Sequence, residues 1–160
     1  MLGWLIDLYN HTRVSAVGIG DIILWLLAKT ILEFSGEDST HACGKSQLHC
    51  GLSAGIKVGI HSIHLSCTQH YYEEGWGFIL IGASNSFADM SCMGIMWTVR
   101  HLWLSIARFN FKFYWHHTQL FVVNLDREDD TILSRWGVTQ GDPLAMVVYG
   151  MGFLPLIKYL

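Results

Sequence analysis

Charge is what this sequence has least of. Only 14% of its 160 residues are Asp, Glu, Lys or Arg, while 51% are hydrophobic. Ordinary soluble domains carry about 25% charged residues. Such a chain has ample material for a core and little for a solvated surface, which fits a membrane protein, an obligate subunit or a piece of a larger core. Long apolar runs are missing as well. A spanning helix needs roughly 18 or more largely uncharged apolar residues. The charge-free runs Gly75–Ala88 and Pro143–Ile157 fall short of that. The first holds Ser84, Asn85 and Ser86, and the second Gly150, Gly152 and Pro155, so both are expected to be core elements rather than membrane spans. The start, MLGWLIDLYNHTR, has no basic n-region and no long apolar stretch. It is a poor signal peptide, and an intracellular protein is expected.

Two further absences narrow the reading. The four cysteines, at 43, 50, 67 and 92, form no Cys-x-x-Cys pair. Free buried thiols are expected rather than a disulfide framework. There is also no basic excess, with 10 Lys and Arg against 13 Asp and Glu and a net charge of −3. Phosphate contacts supply much of the affinity of a nucleic-acid binder, so composition argues against strong nucleic-acid binding. No repeat or low-complexity tract is present. Length implies one domain or part of one.

Periodicity supplies the elements. Ile19 to Phe34 is apolar on almost every side and predicts a buried helix, with Asp21 near its start where the helix dipole favours an anion. Ser35 to Gly51 is polar and predicts turns. Ile56, Ile60, Ile63 and Cys67 stand at helical spacing, so a helix is expected within Leu52 to His70, ending before Gly75 and Gly77. Phe78-Ile79-Leu80-Ile81 is a short apolar run between glycines and predicts a central strand buried on both faces. Asp89 to Trp103 and Ala107 to His117 read as helices. Gln119–Asn124 and Thr131–Arg135 read as strands around an acidic turn. Trp136 to Asp142 is a loop, and Pro143 opens a final helix. Strands and helices mix without regular βαβ alternation, which makes the class α+β.

The most specific string is Gly137-Val138-Thr139-Gln140-Gly141-Asp142-Pro143-Leu144. Gly141 allows a close backbone approach, Asp142 before Pro143 fits a helix N-cap, and Gln140 carries an amide able to reach a base edge or a phosphate. A capped turn into a core helix would need the Asp-Pro pair but not the whole string. The string resembles the Gln-Gly-Asp-Pro-Leu motif of retroelement reverse transcriptases, which lies near the incoming nucleotide and the template. A second segment, Phe78 to Phe87, resembles that family's first palm motif, a hydrophobic strand ending in a metal-binding Asp with an aromatic further on. Phe87 stands at the aromatic position and Gly82 at that of the Asp. A third, Val17-Gly18-Ile19-Gly20-Asp21 with the following helix, is similar to the fingers region. Lys29 matches there, while Ser15, Ala16 and Trp25 depart from an expected Arg-Pro pair and an arginine.

The resemblance covers about Val17 to Leu160. It implies a single partial domain, fingers-like over 13–75 and palm-like over 76–160, with an incomplete antiparallel sheet packed with helices. It further implies an RNA-directed DNA polymerase with nucleic acid as partner and Mg²⁺ as cofactor. In this chain, however, no metal ligand or cofactor is expected. The first metal-binding Asp is replaced by Gly82, and the family's second carboxylate pair belongs beyond Leu160. Phe87, Gln140, Gly141, Asp142, Pro143 and Lys29 would be vestigial nucleotide- or template-binding positions. The expectation is an inactive remnant whose unpaired apolar sheet edge invites aggregation.

Other readings carry less. An alternative is a retained nucleic-acid-binding or interaction module using Arg100, Arg108, Lys112 and nearby aromatics. A small membrane-associated protein is a third. Gly44-Lys45-Ser46 lacks the upstream glycine and strand of a phosphate-binding loop. His61, His64, Cys67 and His70 drift around a helix and cannot all converge on zinc. Asp129-Asp130 precedes the Gln140 string, where the family's aspartate pair follows it, and reads as a solvated turn. The aromatic and histidine-rich run Phe109 to His117 could stack bases, but its spacing fits core.

Overall fold

The computed structural model describes residues 2–10, 13–48, 54–122 and 130–159. The class is α+β. Four strands, β1 (Leu2–Asn10), β2 (Arg13–Gly20), β3 (Thr118–Val122) and β4 (Asp130–Ser134), form one sheet in the order β2-β1-β3-β4. β1–β2 and β3–β4 are antiparallel, and β1 joins β3 in parallel. The sheet is therefore mixed, not the incomplete antiparallel sheet expected. β3 and β4 lie close to the two strands expected on either side of the acidic turn, whereas neither β1 nor β2 was anticipated.

Five helices complete the described chain: α1 (Ile22–Cys43), α2 (Gly55–Gln69), α3 (Cys92–Leu102), α4 (Ala107–Tyr114) and α5 (Ala145–Tyr159). α1 begins at Ile22 rather than Ile19, because β2 runs to Gly20 and an Asp21 carboxylate oxygen accepts from the Ile23 amide at 2.8 Å, satisfying one free donor of the first turn. It runs well past Phe34, through the stretch expected to be turns. Hydroxyl groups explain this: Ser35 donates to the Ile31 carbonyl at 2.6 Å, and Ser39 and Thr40 both donate to the Gly36 carbonyl. These polar side chains find their partners inside the helix and do not compete with it. Gly44, at φ +56°, then ends it.

The core lies in the C-terminal half. α5 buries Ala145, Val147, Val148, Met151 and Leu154, a stripe at helical spacing. α3 offers Ile95 and Val99, and Trp103 at its end is 1% exposed. A Cβ on Gly152 would meet Ile95 Cγ1 at 3.0 Å, so the missing side chain lets α3 and α5 come close. Ala28 and Cys43 are the contributions of α1. The expected burial of α1 is thus corrected. Ile22, Ile23, Leu26 and Phe34 are all exposed, because only one stripe of the helix meets the core.

The expected central strand is also corrected. Among the described residues Phe78 to Ile81 has no strand partner, and it is exposed, Ile79 by 88% and Leu80 by 86%. The central places of the sheet are held by β1 and β3. An apolar run signals burial only when neighbouring strands flank it, and none does so here. Among the described residues, no helix is long and apolar enough to cross a membrane.

Candidate functional site

The loop from Gly137 to Leu144 is built by its backbone. Gly137 sits at φ +69°, and a Cβ there would lie 2.1 Å from the Phe87 carbonyl oxygen, so only glycine fits. Its amide donates to the Met90 carbonyl and the Val138 amide to the Phe87 carbonyl, both at 2.8 Å. On the other side, the Gly18 amide donates to the Gln140 carbonyl at 2.8 Å. A Cβ on Gly18 would strike the Thr139 methyl at 2.1 Å. Gly141 takes φ +111° and turns the chain into α5. The Asp142 carboxyl accepts from the Leu144 amide at 2.9 Å, and its carbonyl accepts from the Ala145 amide at 3.0 Å. Asp142 thus closes the turn that leads into α5, but the helix begins at Ala145, so Pro143 lies just before it and is not its first residue as expected.

Side chains from α3 and α4 hold the loop from beneath. The Tyr114 hydroxyl donates to the other Asp142 carboxylate oxygen. The Cys92 thiol, beside the α3 N-cap Ser91, donates to the Gly137 carbonyl at 3.3 Å. Burial pushes the Asp142 carboxyl above the usual carboxylate range, while the bonds from Tyr114 and Leu144 hold it down. Burial raises the Tyr114 hydroxyl strongly, and the charge of Asp142 adds to that. The Cys92 thiol is raised, chiefly by burial. A raised thiol is a poor nucleophile, so these groups form a structural cluster rather than a poised catalytic one.

Between this loop and the start of α1 lies a cleft lined by Gly18, Trp25, Phe113, Thr139 and Asp142. Its volume is about 10 Å³, room for roughly one water and far too little for a nucleotide. Phe87, Gln140, Gly141, Asp142 and Pro143 therefore belong to one neighbourhood. Phe87 packs on Tyr149 of α5 with ring centroids 4.7 Å apart, and Gln140 is exposed. Two of the expected positions stay outside. Gly82 is exposed, with nothing within 4 Å of an added Cβ. Lys29 is exposed, its ammonium 5.3 Å from the Trp25 ring, and does not line the cleft.

The residues that sequence reasoning missed are Tyr114 and Cys92. Each pairs with a residue far along the chain, and nothing local announces such a pair. Arg100, Arg108 and Lys112 are all exposed on α3 and α4. Among the described residues, no three His, Cys, Asp or Glu side chains lie close enough to share a metal ion. His61, His64 and Cys67 are exposed on α2. Cys50 and Asp129 lie outside the described residues. No protein-family model, curated protein or solved structure matches the chain.

Proposed function

We propose that the chain descends from the RNA-directed DNA polymerase of a retroelement, with fingers-derived sequence over 13–75 and palm-derived sequence over 76–160, and that it has no polymerase activity. The observation that carries the ancestry is the meeting of three segments. The Gly137–Leu144 string is hydrogen-bonded to Phe87 and Met90 on one side and to Gly18 on the other. Gly18 and Phe87 belong, like the string, to segments that resemble the family, and the three are far apart along the chain.

Inactivity follows from Gly82. Two-metal nucleotidyl transfer needs carboxylate oxygens that hold both ions over the reacting groups. A glycine offers no side-chain oxygen, and Asp89 beyond it is exposed. The residues around Gly82 do not fit Mg²⁺, so no catalytic step is assigned to it. The 10 Å³ cleft beside Asp142 agrees with a nucleotide site that has closed over.

Primer extension on an RNA template, with the full chain and Mg²⁺ or Mn²⁺, tests this reading. No product is expected, and any template-dependent product would refute it. The Gly82→Asp variant should also stay silent, since among the described residues no cluster of His, Cys, Asp or Glu side chains stands ready to share a metal with a new carboxylate on that exposed segment. Expression should further give poorly soluble protein, because Phe78–Ile81 is apolar and exposed. A monodisperse, cooperatively melting monomer would count against that part.

A further inference from the structure

α3 and α4 enclose a second, larger concavity away from the loop, with a volume of about 540 Å³. Its floor follows helical spacing on both sides. Met93, Met96 and Trp97 come from one face of α3, and Phe111 from α4 with Trp115 just past its end. Leu104, in the turn between the helices, borders it too. Most of these side chains are open to solvent, Met93 by 63% and Trp97 by 61%. The rings are already ordered: Phe111 and Trp115 stack at 4.8 Å, and Trp97 lies 4.2 Å from His101.

Charge singles out the occupant. Among the described residues, the charged ones lining the groove are Arg100 and Arg108, and Lys112 stands one turn beyond Arg108. Neither α3 nor α4 contains an Asp or Glu, although the chain as a whole carries a net charge of −3. Two arginines therefore stand beside an apolar floor, while the Asp38 carboxylate, which accepts from Ser105 at 2.9 Å in the turn between the helices, does not line it.

We propose that this groove takes an acidic, amphipathic α-helix of a partner protein. A third helix laid against two helix faces buries its own apolar stripe on theirs, while its flanking carboxylates meet Arg100 and Arg108. Methionines adapt their shape to such a stripe. The 11 residues of α3 span about 16 Å, so three turns of partner helix fill its length. A floor of Met, Leu and Trp with only two lining cations fits a helix better than a phosphate-rich strand. The exposed α2 of a second copy does not suit, because it carries Lys57 and two histidines but no acid.

Fluorescence anisotropy with the full chain tests this. The ligand is a designed peptide of about 15 residues, four turns of helix, with leucines on one face and glutamates beside them. The controls are the same composition permuted to abolish the stripe, a lysine-for-glutamate version, and a single-stranded RNA. The designed peptide should bind at low salt, with both peptide controls about tenfold weaker or worse. Arg100→Glu with Arg108→Glu should weaken it by about tenfold. Trp97→Ala should weaken it with no change in the thermal melt, which covers the case of a poorly folded charge variant. Equal binding of the permuted peptide, full binding by both variants, or binding of RNA alone would each overturn the proposal.

Discussion

Residues 54–82 and the C-terminal half draw on the same apolar residue types and use them in opposite ways. In α2, Ile56, Val58, Ile60, Ile63 and Leu65 are all exposed, and Phe78 to Ile81 follow them into solvent. In α3 and α5, Ile95, Val99, Val148, Met151 and Leu154 are almost fully buried. Hydrophobicity sets how much free energy burial could release, about 25 cal/mol per Å². Whether it is released depends on what packs opposite. α5 has α3 across a gap narrowed by Gly152, and α2 has only Gly55 buried.

The largest test of that contrast is a matched pair of truncations. Trp103→Ala should cost about 3–5 kcal/mol by leaving a cavity, and Leu80→Ala less than about 0.5 kcal/mol as an exposed site. Urea melts decide it, and equal losses would mean that the two regions are packed alike. Gly137→Ala comes next. Its φ of +69° and the Phe87 carbonyl in the path of a Cβ should make it destabilising by roughly 1–3 kcal/mol. An unchanged midpoint would mean that the loop does not need glycine.

Asn110 sharpens the comparison from within the core. It is 1% exposed, and neither side-chain polar atom has a hydrogen-bond partner among the described residues. An unsatisfied buried group of this kind costs about 1–3 kcal/mol. Asn110→Leu keeps the branched four-atom side-chain outline and removes both unsatisfied atoms, so it is expected to raise the urea midpoint, whereas Asn110→Asp should lower it. A fall with Leu and no loss with Asp would mean that the site is not an unsatisfied one.

The smallest effect is the pH dependence of the loop clamp. The folded chain holds the Asp142 proton to higher pH than the unfolded chain does. Stability from this group is therefore full below the ordinary carboxylate range and lost as pH rises through the raised folded value. Between about pH 4 and pH 7, wild type should lose more stability than Asp142→Asn. Parallel profiles would place the carboxyl in water. Tyr114 acts with the same sign at alkaline pH, since burial keeps its proton on in the folded chain.

Much of this was legible in the residues. Asp21 marked the cap of α1, and Asp142-Pro143 the turn that leads into α5, because such turns are local chemistry, complete within a few residues. The β3–β4 pair showed as two strand-like stretches around an acidic turn. The candidate loop was legible as a string, and its partners were not. Tyr114 sits in a run of aromatics with nothing to distinguish it, and its pairing with Asp142 exists only because α4 passes under the loop. The continuation of α1 through Ser35, Ser39 and Thr40 was missed for a different reason. Polar composition reads as turn until the hydroxyls are seen bonded back to the helix.

The residues by themselves determined that the chain is poor in charge, that a capped turn leads into the last helix, and that position 82 offers no side-chain oxygen to a metal. Those properties belong to single side chains and short stretches, so no fold can alter them. Tertiary structure alone decided which apolar runs enter the core. It left Phe78 to Ile81 in solvent, set Tyr114 against Asp142, and gathered the cations of α3 and α4 around one groove. Burial and pairing depend on what approaches from elsewhere in the chain, which local sequence does not specify.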